Sequence, residues 1–336
     1  MRAFAAILVM WAHIKYVASF GPNPFIASVA GSAGVDIFFV ISGFIISMSA
    51  ERAGFEGRAF LVTRLCRIVP FYWLMTAPFI LFDALSHRLY WRSLLNSVTF
   101  IPLMDFNKFN NPVLSFGWSL SFEFWFYTLF AVLMAMLGAR ALPFMAPVMA
   151  ILCGIVWFSY RGTWFTPRFL FHPLTLEFAG GIVLYQLRKL CGVKTIAIVA
   201  PLVLVSGLMV LKTQSLGWHE PILASAYLGF KRAWIWGGFS TLLITLTVSV
   251  DNLQLISWPR WAVSMGNSSY SIYLIQMYAL YTSAGVRMLS NTGPWISVPL
   301  FVTFTIVGGH YLSKQVEMPL TRWVRLRAQV KPSAGT

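Results

Sequence analysis

Arg2-Ala3-Phe4-Ala5-Ala6-Ile7-Leu8-Val9-Met10-Trp11-Ala12-His13 is an apolar segment closed at each end by a basic side chain. Read as a helix, the step from Arg2 to His13 makes three turns plus about 20°, so both lie on one face, roughly 16 Å apart along the axis. The residues between them have the hydropathy of a membrane-spanning helix. An ionisable group carried that far into apolar surroundings is expensive, which makes His13 a functional candidate. Two readings of the pair stand side by side. Either His13 does chemistry, or it bonds a neighbouring helix while Arg2 anchors the segment at the cytoplasmic face.

The same hydropathy recurs along the chain, at roughly 3–20, 33–50, 68–86, 117–138, 144–160, 173–188, 195–211, 233–250, 269–288 and 296–313. The fold class that follows is an all-α integral membrane protein, a polytopic bundle of about ten transmembrane helices. Composition excludes the alternative. The chain is 58% hydrophobic and 10% charged with a mean hydropathy of +0.72, whereas an average soluble domain is about a quarter charged. The net charge of +15 does not mark a nucleic-acid partner, because the basic residues fall between apolar runs. An even number of spans puts both termini on one side. With that side cytoplasmic, the inner segments hold Arg2, Arg52, Arg58, Arg64, Arg67, Arg140, Arg188, Lys189, Lys194, Arg260, Lys314, Arg322, Arg325, Arg327 and Lys331, a majority of the 25 Lys and Arg residues. The first span reads as a retained helix rather than a cleaved signal. Residues 1–321 form one membrane domain, and 322–336 a short basic tail suited to anionic lipid heads. The longest outer segment, 87–116, has an apolar stretch, Leu94–Met104, too short to span and expected to dip into the membrane. Cys66, Cys153 and Cys191 have neither paired spacing nor His companions, so no disulfide or metal site is expected.

Only ten residues are acidic, so each one inside a span needs an account. Glu123, in Trp118-Ser119-Leu120-Ser121-Phe122-Glu123, lies about 9–12 Å below the outer end of its helix. His13 rises from the inner side to nearly the same depth in a core about 30 Å thick. An acid and an imidazole at one level suit a general-base pair, Glu123 orienting His13; the alternative is a Glu123 bonded to a nearby Ser or Tyr for packing. Asp36 sits in the first turn of its helix, where an acid stabilises exposed N–H groups, with a supporting role at the site as the other possibility. Ser42, Gly43 and Ser47 form a small-residue stripe that lets helices approach. Arg64 and Arg67, at i and i+3 of one face, open the third span, with Pro70 suited to its first turn. With Arg2 they give three guanidiniums at the inner face. Such a cluster fits bidentate phosphate binding, and equally ordinary anchoring. Trp118, Trp125 and Tyr127 could line a sugar site, or belong to an interfacial belt.

The pattern as a whole resembles the membrane acyltransferase-3 family. The resemblance rests on Arg2 and His13 at their spacing, Gly34-Val35-Asp36-Ile37-Phe38-Phe39-Val40-Ile41-Ser42-Gly43-Phe44, Arg64-x-x-Arg67-x-x-Pro70, Trp118-Ser119-Leu120-x-x-Glu123, Asn267-Ser268-Ser269-Tyr270-Ser271-Ile272-Tyr273-Leu274 and Glu317-x-Pro319, in that order over nearly the whole chain. It implies a bacterial inner-membrane enzyme, multi-pass, moving an acyl group, mostly acetyl, from cytoplasmic acyl-CoA (acetyl-CoA) to a hydroxyl of a glycan or lipid-linked saccharide acceptor. It implies that His13 belongs to the transfer site and that Arg2, Arg64 and Arg67 hold the donor's phosphates. Asp36, Ser42, Trp118, Tyr127 and Tyr270 are then candidates for contact with substrate or for support of the site. Two departures stand out. Relatives carry a few residues before the first motif arginine, which is residue 2 here, so the start lies upstream or the anchor is short. Many relatives also carry His where this chain has Gln276; an amide is no base at neutral pH, so Gln276 is not expected to be catalytic. Two other classes fit less well. A transporter or flippase of a lipid-linked glycan would use the arginines for a diphosphate, and a signalling membrane protein leaves the buried His and Glu without purpose.

Overall fold

The computed structural model of the chain describes residues 1–17, 29–51, 55–101, 104–105, 108–159, 166–213, 226–290 and 294–328. Arg52, Pro102, Asn107 and Lys331, which entered the sequence reading, lie outside them. The fold is an α-helical bundle, and each of the ten expected spans holds a helix. They are α1 (Arg2–Val17), α2 (Ala33–Ala50), α3 (Gly57–Leu85), α5 (Trp118–Leu137), α6 (Leu142–Ser159), α7 (Thr175–Leu187), α8 (Val193–Lys212), α9 (226–252), α11 (Ser269–Ser290) and α12 (294–327). Among the described residues three shorter helices lie between them, α4 (Trp91–Thr99), the five-residue turn Thr166–Leu170 and α10 (Arg260–Asn267). Seven helices are long and apolar enough to cross a membrane by themselves. The 13-residue α7 is short because it is packed inside the bundle, mostly buried, rather than set against lipid.

The interior is organised around α2. Its closest neighbour is α7, and two glycines bring the backbones together: a Cβ at Gly43 would overlap the carbonyl of Phe178, and one at Gly181 the carbonyl of Val40. Small residues at a crossing are how membrane helices gain packing without a hydrophobic driving force. Aromatic rings fill the space around that contact. Phe126 stacks on Phe178 at 4.1 Å between centroids and Phe122 on Phe169 at 3.9 Å. At the C-terminal end of α2, Tyr185 and Arg188 bond Glu51, and the Tyr185 hydroxyl, with Arg188, holds its carboxyl below the usual range.

Three expectations need correcting. α3 begins at Gly57 rather than near residue 68, so Pro70 is inside the helix and not in its first turn. Each internal proline removes one helical N–H bond, which neighbouring helices compensate in membrane bundles. The last helix runs unbroken to Arg327 through two π turns, Phe304–Gly308 and Ser313–Glu317, so the basic residues from Arg322 to Arg327 are helical. The segment 87–116 is built around α4 and a two-residue-per-strand hairpin pairing Met104 with Phe109 and Asp105 with Lys108. Asn96 and Ser97, buried on α4, hold the following chain: Asn96 Nδ2 donates to the Asn110 carbonyl at 2.7 Å and the Val113 N–H donates to Ser97 at 2.7 Å. Leu94–Thr99 is therefore helical, the C-terminal part of α4.

Candidate active site

Helices α1, α2, α3, α5 and α11 surround a cavity of about 90 Å³ whose walls include Arg2, Arg64, Arg67, Glu123, Ser42, Tyr127, Tyr270 and Tyr273. Arg64 and Arg67 reach it because α3 starts early. They stand about 10 and 15 Å along the helix from Gly57, two to three turns in. The Arg64 guanidinium lies 5.7 Å from the centre of the Tyr127 ring. Among the described residues none of the three arginines is in an ion pair, and Glu123 is the one carboxylate in the cavity wall. Three guanidiniums facing one carboxylate leave a surplus of positive charge in an apolar setting. That arrangement is costly unless an anion completes it.

Glu123 is held by two donors. Ser42 Oγ gives its proton to Glu123 Oε1 at 2.9 Å, and the Tyr127 hydroxyl donates to the same oxygen. Ser42 thus faces the cavity while its neighbour Gly43 makes the helix contact, so the stripe divides into a polar and a packing half. Tyr270 donates to the carbonyl of Ile68 at 3.0 Å, fixing α11 to α3 at the cavity wall.

His13 is elsewhere. Its Nδ1 is 2.8 Å from Oε1 of Gln276, and its ring stacks on Phe116 at 4.5 Å. The expected His13–Glu123 dyad is therefore not what the side chains make: Glu123 bonds Ser42 and Tyr127, and His13 bonds Gln276. Depth along a helix follows from residue count, but the direction a side chain faces depends on how the helix is rotated, and α5 turns Glu123 toward α2 and the arginines. Between His13 and the cavity stand Phe116 and Tyr273, with rings 5.7 Å apart. Tyr273 donates to the Phe116 carbonyl at 2.8 Å and is bonded to Ser119 at 3.0 Å.

Two further candidates fall outside the site. Trp118 packs in the core, edge-on to Phe39 and Phe122, and Trp125 meets Phe171; neither lines the cavity. Asp36, in the first turn of α2, has a stronger partner than backbone N–H groups. It is fully buried in a two-point ion pair with Arg232 of α9, at 3.0 and 2.6 Å, with the Trp236 ring 4.7 Å from the guanidinium.

Sequence reasoning set Gln276 aside as not catalytic, took Arg325 for part of the tail, quoted Tyr273 only within a motif and gave Arg232 no role. Tyr270, Tyr273 and Gln276 recur every three residues on one face of α11, a signal that would have joined Gln276 to the site. Arg325, read as tail, returns on α12 toward Arg64 and Arg67, and its Nε is buried with no partner among the described residues. Glu317 on the same helix is buried and accepts from Ser271 at 2.6 Å and Ser313 at 2.9 Å, which ties the motif Asn267–Leu274 to α12.

No solved structure matches the chain. The exopolysaccharide production protein ExoZ of Rhizobium meliloti (strain 1021) is 28% identical over 321 residues, covering 91% of this chain and 94% of that protein. The profile of the acyltransferase domain matches residues 1–313, a stretch that holds every wall residue of the arginine cavity as well as His13 and Gln276. With the bundle and its buried charges on one continuous match, the chain belongs to the acyltransferase domain family and is a membrane acyltransferase.

Proposed function

We propose that this acyltransferase takes an acyl group, in the simplest case acetyl, from acyl-CoA on the cytoplasmic side of a bacterial inner membrane and places it on a hydroxyl of an exported glycan, both termini being cytoplasmic. The observation that carries the reading is the convergence of Arg2, Arg64 and Arg67 on one cavity with a single carboxylate, Glu123. Planar guanidiniums match phosphate oxygens two at a time, and a CoA thioester joins such phosphates to an acyl group through a long, thin arm. A cavity of about 90 Å³ takes only part of such a donor, so the remainder extends toward the inner face, where Arg325 adds a fourth cation. The likeness to a protein named for exopolysaccharide production supports a sugar hydroxyl as acceptor.

In the transfer step the acceptor oxygen attacks the thioester carbonyl, the C–O bond forms and the C–S bond breaks. His13 takes the hydroxyl proton and returns it to the departing thiolate, so that free CoA and an O-acyl glycan are the products. A route in which His13 first carries the acyl group has the same balance. Tyr273 and Phe116, which separate His13 from the arginines, have to shift for thioester and imidazole to meet.

The test is direct. Full-length protein in lipid nanodiscs is given acetyl-CoA labelled in the acetyl group, with and without polysaccharide from a producing strain. Label in the polysaccharide and release of free CoA are expected. No release and no binding of acyl-CoA would remove the donor from the proposal.

A further inference from the structure

We infer that Gln276 is a positioning residue for His13, which fixes the imidazole as the tautomer protonated on Nδ1 and so leaves the basic lone pair on Nε2; the inference rests on His13 being the transfer base.

Gln276 is fully buried on α11, and it touches two groups. Its Oε1 is 2.8 Å from His13 Nδ1, and its Nε2 donates to the main-chain carbonyl of Ala6 at 3.4 Å. A carbonyl oxygen only accepts, so Ala6 dictates which end of the amide faces it. Turned the other way, the amide would set its own oxygen against that of Ala6, two acceptors in contact in a buried place where unmade bonds are expensive. The NH2 therefore points at Ala6, and Oε1 points at the ring. An amide oxygen has no proton to give, so the proton in the short contact belongs to His13 Nδ1. In a neutral imidazole one nitrogen donates and the other accepts, and the partner of one decides the state of the other. Gln276 thus assigns the accepting role to Nε2.

The ring plane is fixed as well. Phe116 stacks on it at 4.5 Å and 24°, and Phe116 is itself anchored through its carbonyl by Tyr273. α11 carries Tyr270 and Tyr273 to the arginine cavity and Gln276 to His13 on a single face, so one rigid element aligns the donor wall with the base. A neutral amide suits this task differently from a carboxylate. It orients the ring without adding an acidic charge.

The test reads the ring itself. Full-length protein with 15N-labelled histidine is placed in nanodiscs near neutral pH, and the His13 signals, among those of five histidines, are identified by their loss in His13→Gln. A protonated Nδ1 with an unprotonated Nε2 is expected. A wild-type ring with its proton on Nε2 overturns the inference, and that spectrum needs no variant to fold. Gln276→Leu should shift the ring toward the Nε2–H form and lower kcat roughly tenfold or more, the scale of misplaced acid–base catalysis, with the donor KM nearly unchanged. A Gln276→Leu protein with an unchanged spectrum and kcat counts equally against it. Because the spectrum is taken without donor or acceptor, a wild type that shows the expected tautomer but transfers no acyl group would sink the proposed function while supporting the assignment of the ring.

Discussion

His13 and Glu123 have separate partners, and each is open to a conservative substitution. His13→Gln keeps a hydrogen-bonding side chain of similar reach and cannot take a proton at neutral pH. Acyl transfer should fall by at least about 100-fold, the lower end of general-base contributions, while insertion and acyl-CoA binding persist; transfer at the wild-type rate by this variant ends the base role. Glu123→Gln leaves an acceptor for Ser42 and Tyr127 but removes the cavity's one carboxylate. Loss of charge-assisted bonds worth about 1.5–3 kcal/mol should lower kcat by roughly 10- to 100-fold. A steady-state measurement showing wild-type kcat would reduce Glu123 to a packing residue. These residues also mark the limit of what the chain reveals before folding. The spacing of Arg2 and His13 and the depth of Glu123 follow from the rise of a helix, and Arg2, Arg64, Arg67, Glu123, Ser42, Tyr127 and Tyr270 do share one cavity. The pairing of His13 with Gln276 was hidden, since it depends on how α1, α5 and α11 are rotated against one another, and rotation is set by packing across more than 260 positions of sequence.

At the scale of elements, buried charge sits where helices lose their regular winding. The π turn Ala233–Gly237 follows Arg232 and carries Trp236, and the π turn Ser313–Glu317 ends on the buried Glu317. An extra residue in a turn re-aims the side chains around it, which is a common use of π segments near functional or strained positions. α9 and α2 are joined through Arg232 and Asp36, so Arg232→Ala should cost about 3–5 kcal/mol by leaving a carboxylate buried and alone. The matched double replacement Asp36→Leu with Arg232→Met should recover much of that loss. Thermal unfolding in detergent checks both, and a single variant as stable as wild type would show the pair to be solvated. α3 makes the complementary case. Arg64→Lys and Arg67→Lys keep the charge but not the planar fork, so donor binding should weaken about tenfold, on the scale of one lost charge-assisted bond. Normal acyl-CoA affinity with Lys at both positions would make these arginines anchors.

For the whole molecule the deciding property is which face meets the cytoplasm, because the acyl-CoA proposed as donor is available there. The ten helical spans were readable from hydropathy. The length of α3, the continuous α12 and the layer formed by α4 with its hairpin were not, since prolines, π turns and short polar contacts carry no strong periodic signal. The orientation can be tested on the protein as it stands, because Cys66, Cys153 and Cys191 are all buried and leave a quiet background for thiol labelling. Asn111, exposed next to the Asn96–Asn110 contact, and Arg58, exposed in the first turn of α3, lie well apart: the segment that carries Asn111 meets α3 at Tyr72 and Trp73, about 20 Å along the helix from Arg58. In spheroplasts, a membrane-impermeant maleimide should label Asn111→Cys at once and Arg58→Cys only after permeabilisation. The reverse pattern would put the mouth nearest Arg2, Arg64 and Arg67 outside the cell, away from any acyl-CoA. The arginine cavity would then have to serve a different anion, such as the diphosphate of a lipid-linked saccharide.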